Sequence, residues 1–346
     1  MFRKVRRLKR GDKVAVVSPS RPVPSVFPAV AKKGIEALKT YFDLDPVVFP
    51  GACAGIEESY RNPRIRSDDL NRAFASDEFS AIFSTIGGDE SIRVLPFLDR
   101  NIISASPKAF IGYSDCSTYH TYLSNLGMCS LHGPSIMSGF AQAVNFPDSF
   151  IEYIERILFH DSSGLEMSRF PWYSEGYPDW RVPENSSLVK EQKITEPWKW
   201  LQGDSMKGRV FAGNVEVLDW MRGTQYWPSP DFWNGTLLFL ETSEEVPPPI
   251  AVERYLRLYG VTGILQRING LVFGRFRGYS PEMMESVEKS ILSVINVEWG
   301  LESLPVMLGF DMGHTDPQFP VPIGIEAEIH RNRDVIRILE SFAVPV

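Results

Sequence analysis

Cysteine is scarce in this 346-residue chain. Its three cysteines, Cys53, Cys116 and Cys129, form no C-x-x-C pair, and an odd, sparse set argues against a disulfide framework. The five histidines also lack the close spacing of a metal-binding motif. We therefore expect a protein of the reducing cytoplasm that has neither a metal site nor a cofactor.

Long apolar runs are missing as well. No run approaches the ~20 residues that span a bilayer. The basic start, MFRKVRRLKR, leads into a short β-type stretch instead of the apolar region of a secretory signal. One basic cluster in a chain of net charge −7 is typical of a solvated terminus. We expect neither a membrane partner nor a nucleic-acid partner.

The composition is that of a globular protein, with 43% hydrophobic and 23% charged residues. The length favours two domains. We predict an N-terminal α/β domain at residues 1–150, a connecting segment at 151–207 and a C-terminal domain at 208–346.

The first 150 residues alternate β-type runs with helical patterns. The β-type runs are KVAVVSPS, DPVVFP, FSAIFSTIGG and AFIGYS, and the helical patterns are AVAKKGIEALKTYF, RSDDLNRAFAS and DESIRVLPFLD. This alternation predicts a doubly wound, largely parallel sheet of the Rossmann or flavodoxin-like kind. Later runs, GTLLFLETS, INGLVFGRF and PVMLGF, predict a second α/β domain with mixed strands.

The connecting segment is rich in aromatic residues. It carries Trp172, Trp180, Trp198 and Trp200 in a background of Pro, Glu and Ser. Aromatic residues in such a loop indicate a lid or a binding surface. Packing of a linker against the neighbouring domain explains them equally well.

The stretch KAFIGYSDCST sets Ser114 between a β-type run and a helical pattern. Such a position lies at the carboxyl edge of an α/β sheet, where reactive groups collect. Serine is also a preferred helix N-cap residue. The G-x-S of this stretch lacks the second glycine of the G-x-S-x-G motif that holds the nucleophile in α/β-hydrolases. From this stretch alone, Ser114 can be either a nucleophile or a helix cap.

Two further stretches end β-type runs on residues with catalytic chemistry. GTLLFLETSEE places Glu241 at a strand end, and LGFDMGHTDP places His314 just after a short strand. Taken alone, a glutamate at a strand end is more often an exposed charge, and a histidine after a strand is more often a loop residue that holds a turn. Together with Ser114 they supply a nucleophile, a base and an orienting carboxylate.

The turn IGGDES follows another β-type run and offers backbone N–H groups at Gly87 and Gly88. A tetrahedral oxyanion needs such donors. A tight turn without a ligand is the alternative, and the sequence does not decide which glycine would point inward.

The chain resembles the LD-carboxypeptidases and microcin C self-immunity peptidases, which are cytoplasmic serine peptidases. The motifs that carry the resemblance are GDKVAVVSPS, STIGGDESIRVLPFLD, FIGYSDCST, WKWLQGDSMKGRVFAGNVEVL, LLFLETSEE and GHTDPQFPVPIG. The resemblance implies that Ser114 is the nucleophile, His314 the base and Glu241 the orienting acid. It also implies an oxyanion donor at the Asp115 N–H and a homodimer.

One departure from the family pattern follows the GR of the motif WKWLQGDSMKGRVFAGNVEVL. Many relatives have Gly-Gly-Asn where this chain has Ala212, Gly213 and Asn214. We expect Asn214 to order the site or bind substrate, with a turn asparagine as the alternative.

The resemblance implies an amide substrate from one of two classes. The Trp-rich insert is similar to that of the microcin-type enzymes, which cut the amide between a peptide or amino acid and a nucleotide. We therefore favour a peptidyl- or aminoacyl-nucleotide, with Trp180, and after it Trp172, stacking on the base. Trp198 and Trp200 are expected at the domain junction.

Two other functions stay open. The first is a murein LD-carboxypeptidase that removes the terminal D-alanine from peptidoglycan tetrapeptides. The second is a binding protein on the same scaffold that has lost its chemistry.

Overall fold

The computed structural model of the protein describes residues 2–188 and 190–345. Its strands are β1 (Val5–Arg6), β2 (Lys13–Val17), β3 (Asp45–Val48), β4 (Ala81–Ser84), β5 (Ala109–Gly112), β6 (Ser130–His132), β7 (Glu166–Ser168), β8 (Trp172–Glu175), β9 (Lys193–Ile194), β10 (Lys199–Gln202), β11 (Ser205–Asn214), β12 (Thr236–Glu241), β13 (Gly270–Gly274), β14 (Val306–Phe310), β15 (Thr315–Asp316), β16 (Val321–Ile323), β17 (Glu326–His330), β18 (Val335–Ile338) and β19 (Ala343–Val344). Its α-helices are α1 (Pro28–Phe42), α2 (Ile56–Arg61), α3 (Arg64–Ala75), α4 (Arg100–Ala105), α5 (Ser117–Asn125), α6 (Asp148–Phe159), α7 (Val215–Met221), α8 (Pro249–Val261) and α9 (Pro281–Leu292).

The N-terminal sheet has the strand order β16-β6-β5-β4-β2-β3. All its pairs are parallel except β16 with β6. Alternate residues of β2 enter different apolar cores, Val14 and Val16 on one face and Ala15 and Val17 on the other. Both faces are therefore covered, as parallel sheets require. The predicted N-terminal architecture is confirmed.

The C-terminal sheet has the strand order β10-β14-β13-β12-β11-β17-β18-β7. Its central strands β11 to β14 run parallel, and the flanking pairs are antiparallel. Strand β12 is buried along its whole length, as the uninterrupted apolar run predicts. The expectation of a second α/β unit with mixed strands is confirmed.

Strand β16 connects the two halves of the chain. It follows the last strand of the parallel group of the C-terminal sheet, yet it pairs with β6 of the N-terminal sheet, with Val321 opposite His132. A short parallel pair of β1 with β19 also joins the two ends of the chain.

The segment DESIRVLPFLD differs from its predicted helix. It forms two short 3₁₀ turns, Ser91–Arg93 and Leu95–Phe97. Pro96 explains the difference, because proline lacks an N–H and disfavours helical geometry in the residue before it.

Among the described residues, no helix is long and apolar enough to cross a membrane.

Candidate active site

Ser114 lies on a strained turn at the end of β5. The strand ends at Gly112, and Ser114 takes a φ of 60°. Positive φ is uncommon outside glycine, and such strain concentrates at functional sites. Within the described residues the Ser114 side chain caps no helix. Its Oγ lies 3.2 Å from Nε2 of His314 instead.

Two strand ends of the C-terminal sheet bring Glu241 and His314 to Ser114. Glu241 is the last residue of β12, and His314 follows β14 after a three-residue loop. A Cβ at Gly313 would lie 2.8 Å from that of Glu241, so glycine is needed for this approach. Nδ1 of His314 lies 2.7 Å from Oε2 of Glu241. The three side chains form one continuous hydrogen-bonded chain, the geometry that nucleophilic catalysis by serine requires.

A buried ion pair anchors the loop that precedes His314. Asp311 is fully buried, and its carboxylate accepts from Arg275 at 2.9 Å and from Trp198 Nε1 at 2.9 Å. Arg275 in turn lies over the ring of Tyr173, 4.2 Å from its centroid. These contacts fix the backbone from which the imidazole projects.

A second carboxylate contacts the imidazole on the side of the serine. Oε2 of Glu244 lies 3.0 Å from Nε2 of His314, the nitrogen that also contacts Ser114. The Glu244 side chain is 56% exposed, whereas the side chain of Glu241 is fully buried. Glu244 therefore competes with Ser114 for Nε2 from the solvent side of the site.

The two carboxylates control the protonation of the imidazole. Burial would lower the pKa of His314, but Glu241 and Glu244 outweigh it and raise that pKa to about 10. The contact with His314 lowers the pKa of Glu244 to about 2. At neutral pH His314 is thus an imidazolium between two carboxylates. It can accept a proton at Nε2 only after Glu244 has left that nitrogen and the imidazolium has lost its Nε2 proton.

Backbone donors lie next to the serine. A Cβ at Gly87 would lie 2.9 Å from Ser114 Oγ and 3.3 Å from the Asp115 nitrogen. Within the described residues, neither the Gly87 nor the Gly88 N–H donates to a protein acceptor. The turn can therefore offer N–H groups to a ligand at Ser114, and which of these groups receives an oxyanion stays a prediction.

The buried Asp115 carboxylate ties this turn to the serine. It accepts from the Glu90 N–H and the Ser91 N–H, each at 2.9 Å, and from Ser91 Oγ at 2.6 Å. Ser20 Oγ donates to it as well. Asp115 thus holds the glycine turn through its side chain, and an oxyanion role for its backbone N–H, which the family resemblance implies, stays a prediction.

A cavity of about 470 Å³ opens over Ser114 and His314. Trp180 forms part of its wall, with its ring 5.7 Å from that of Phe27 and 5.1 Å from that of Tyr177. The indole is partly buried, and its Nε1 has no hydrogen-bond partner among the described residues. The cavity therefore contains the catalytic candidates and an aromatic surface together.

Trp172 is not part of that cavity wall. It lies in β8, packs against Phe146 at a centroid distance of 6.2 Å and borders a separate space of about 20 Å³. Trp198 is buried against Phe310 in the core of the C-terminal sheet.

Asn214 borders a second cavity, of about 130 Å³, that also reaches Ser114. Its Oδ1 accepts from the Val217 N–H at 3.0 Å and caps α7, and its own N–H donates to Ser117 Oγ at 2.8 Å. Its Nδ2 is buried without a partner among the described residues. Asn214 therefore orders the local backbone, while its side-chain NH₂ group has no partner among the described residues.

Two models of one protein family match the chain. Residues 14–133 match the LD-carboxypeptidase N-terminal domain, and residues 207–329 match the LD-carboxypeptidase C-terminal domain. The chain belongs to the LD-carboxypeptidase family. The peptidase family also implies a hydrolase.

Individual members of the LD-carboxypeptidase family align over nearly the whole chain. The microcin C7 self-immunity protein MccF of Escherichia coli is 26% identical over 96% of this chain and 94% of its own. A probable murein peptide carboxypeptidase of Bacillus subtilis is 26% identical over 94% and 91%.

Solved structures of family members have the same fold. An MccF-like protein of Streptococcus pneumoniae in complex with AMP superimposes with a TM-score of 0.82, at 25% identity over 95% of this chain and 98% of that one. MccF in complex with aspartyl sulfamoyl adenosine gives a TM-score of 0.84, at 23% identity over 99% and 100%.

Sequence reasoning missed several residues of this candidate site. Glu244 stands three positions after Glu241 in the quoted run, and that spacing was the available signal. Tyr113 packs edge-on against the ring of His314 at 5.1 Å, and its hydroxyl lies 3.3 Å from that of Tyr177. Nothing in the sequence pattern indicates that pair.

Proposed function

We propose that this family member is a serine carboxypeptidase or amidase that hydrolyses the amide of peptidyl- or aminoacyl-nucleotides, with Ser114, His314 and Glu241 as its triad. The observation that carries the proposal is the 470 Å³ cavity in which Ser114 and Trp180 face the same space. An indole at the wall of a catalytic cavity suits a substrate with a nucleobase. The AMP complex of the Streptococcus pneumoniae relative supports the same substrate class.

The reaction follows from the contacts of the triad. After Glu244 has left Nε2 and the imidazolium has given its Nε2 proton to a solvent water molecule, neutral His314 takes the hydroxyl proton as Ser114 Oγ attacks the substrate carbonyl. Glu241 holds Nδ1–H and stabilises the imidazolium that forms. The carbonyl oxygen becomes an oxyanion, which the Asp115 N–H and one glycine N–H of the turn stabilise.

The intermediate then collapses with cleavage of the C–N bond. The imidazolium gives its proton to the departing nitrogen, and the acyl group stays on Ser114 as an ester. A water molecule loses a proton to His314 and attacks the ester, which releases the acid and restores the Ser114 hydroxyl.

The murein LD-carboxypeptidase is the second candidate. The observation that favours it is the Bacillus subtilis relative, aligned over 94% of this chain. A side-by-side assay of an aminoacyl sulfamoyl adenosine and a muropeptide tetrapeptide decides between them. We expect kcat/KM to be higher for the nucleotide compound, and release of D-alanine as the preferred reaction would overturn the proposal.

A serine-directed fluorophosphonate tests whether Ser114 is a reactive nucleophile. We expect covalent labelling at Ser114, and none in S114A. An unlabelled native protein would favour a binding protein without catalysis. We further place the enzyme in the cytoplasm as a homodimer, as the family resemblance implies, and sedimentation of the purified chain tests the dimer.

A further inference from the structure

The smaller cavity at Ser114 is strongly acidic. Its wall includes the carboxylates of Asp89, Glu216, Glu244 and Glu245. Among the described residues that line it, Arg21 is the one cation. The wall therefore carries a formal charge of −3 with every carboxylate ionised.

Arg21 is already engaged within this wall. Its Nε lies 3.1 Å from Oδ1 of Asp89, and its terminal nitrogen lies 2.8 Å from Oδ2. Such a bidentate pair satisfies both partners. Three carboxylates then remain for the rest of the cavity, and one of them, Glu244, contacts His314.

Buried polar atoms without partners point to a ligand in this cavity. Asn214 is 1% exposed, and its Nδ2 lacks a partner among the described residues. Glu216 accepts from the Ser243 N–H at 2.9 Å through Oε1, but its Oε2 has no partner within the same residues. Burial and the charge of Glu241 raise the pKa of Glu216. A bound donor with positive charge would satisfy Oε2 and offset both effects.

The position of the cavity relates it to the acyl side of the substrate. Ser114 borders both cavities, so a carbonyl held there extends one substituent into each. The larger cavity, with Trp180, suits the nucleotide leaving group. The smaller cavity then receives the acyl residue of the substrate. Methylene groups of that residue can lie along Val217, and a positive charge on it can face the exposed ring of Trp220.

We infer that the smaller cavity is the acyl subsite and that it selects a cationic acyl residue, one that presents an ammonium or guanidinium group to Glu216 and Glu245. The inference rests on the proposed function and adds its acyl specificity. The cation can come from a basic side chain or from a free α-amino group.

A series of sulfamoyl adenosine compounds tests the inference through their binding to S114A. The acyl groups are lysyl, norleucyl, N-acetylnorleucyl and glutamyl, and calorimetry gives each Kd. We expect lysyl to bind at least about tenfold more tightly than N-acetylnorleucyl or glutamyl. Lysyl tighter than norleucyl assigns the cation to the side chain, and equal binding of these two assigns it to the α-amino group. N-acetylnorleucyl binding as tightly as lysyl overturns the inference.

Charge variants locate the effect in the cavity. In the S114A background, E245K and E216Q should each reduce the advantage of lysyl over N-acetylnorleucyl by about tenfold, while the Kd of N-acetylnorleucyl changes little. E302K is the matched control, because Glu302 is exposed and is not part of the cavity wall. An unchanged advantage in both cavity variants would overturn the inference.

Failure of the proposed function gives a different result. If the native enzyme hydrolyses none of the four compounds, the proposed function falls. The order of the Kd values in S114A still decides whether the cavity prefers a cation.

Discussion

At His314, a single imidazole nitrogen has two competing partners. Nε2 lies 3.2 Å from Ser114 Oγ and 3.0 Å from Oε2 of Glu244. One N–H cannot serve both partners well, and the charged partner is the stronger. The resting site is therefore closed to proton transfer until Glu244 moves, and its exposure leaves it free to do so.

We expect E244Q to move the acid limb of the pH profile to lower pH. A general base works in its neutral form, so kcat/KM rises as pH passes upward through the pKa of His314. Glu244 favours the imidazolium and helps raise that pKa to about 10. Glutamine lacks the charge, so the pKa falls and activity begins at a lower pH. A pH profile of kcat/KM measures the shift, with E302Q as a distant control.

An unshifted acid limb in E244Q would show that Glu241 alone sets the protonation of His314. The contact between Glu244 and His314 in the free enzyme would then have no effect on kcat/KM.

Ser114, His314 and Glu241 are expected to act as one unit. S114A and H314A should each lower kcat by about 10⁴-fold or more, and E241A should retain more activity, since effects within a triad are not additive. Circular dichroism checks that each variant is folded. Substantial turnover by purified S114A would remove the serine from the mechanism.

At the scale of elements, the site depends on how the turn after β4 is held against the turn after β5. Asp115 is the link, since its carboxylate accepts two backbone N–H groups of the first turn, from Glu90 and Ser91. A carboxylate provides only acceptors, whereas an amide would present a donor to one of these N–H groups.

D115N is therefore expected to loosen the glycine turn. We expect kcat to fall by about tenfold to a hundredfold with a smaller change in KM, because oxyanion stabilisation acts mainly in the transition state. Stability should also fall, by about 1–3 kcal/mol. Steady-state kinetics and thermal melting measure both effects. A stability loss with kcat unchanged would limit Asp115 to a structural role.

Trp180 of the connecting segment lines the larger cavity, and a role in substrate binding can be separated from a role in packing. W180A should raise KM for a nucleotide-linked substrate by about tenfold, from a stacking loss of ~1.4 kcal/mol. A muropeptide has no base, so its KM should change less, and W180F should recover part of the effect.

The control for this prediction is W172A, since Trp172 lies outside the larger cavity. Equal loss on both substrates in W180A, together with a lower melting temperature, would make Trp180 a packing residue.

The strands and long helices were predictable because burial imposes a clear hydrophobic pattern on them. Strand β12 and helix α1 lie where the apolar runs and the 3.6-residue periodicity indicated. The 3₁₀ turns at Ser91–Arg93 and Leu95–Phe97 were not predicted, because their geometry depends on Pro96 and on the distant Asp115 carboxylate. The Glu244 contact could not be inferred either, since it depends on the path of a loop.

At the scale of the whole molecule, the site exists only where the two halves meet. Ser114 comes from the N-terminal sheet, whereas Glu241 and His314 come from the C-terminal sheet. The motifs identified these residues in the sequence, but no local pattern gives the distances between them. The predicted division at residues 150 and 207 stays a prediction, and β16 crosses it by pairing with β6.

Strand β16 also affects the order in which the chain can fold during synthesis. Strand β6 is complete at residue 132, whereas its partner ends at residue 323. At the usual pace of the ribosome, this interval lasts about 10–40 s. During that time the nascent chain exposes an unpaired strand edge of the kind that promotes aggregation. A chain truncated after residue 318 should therefore scatter light at concentrations at which a chain truncated after residue 324 stays clear, because the two differ in β16 and lack the same later strands. Equal scattering by the two truncated chains would show that the β6 edge is not the cause.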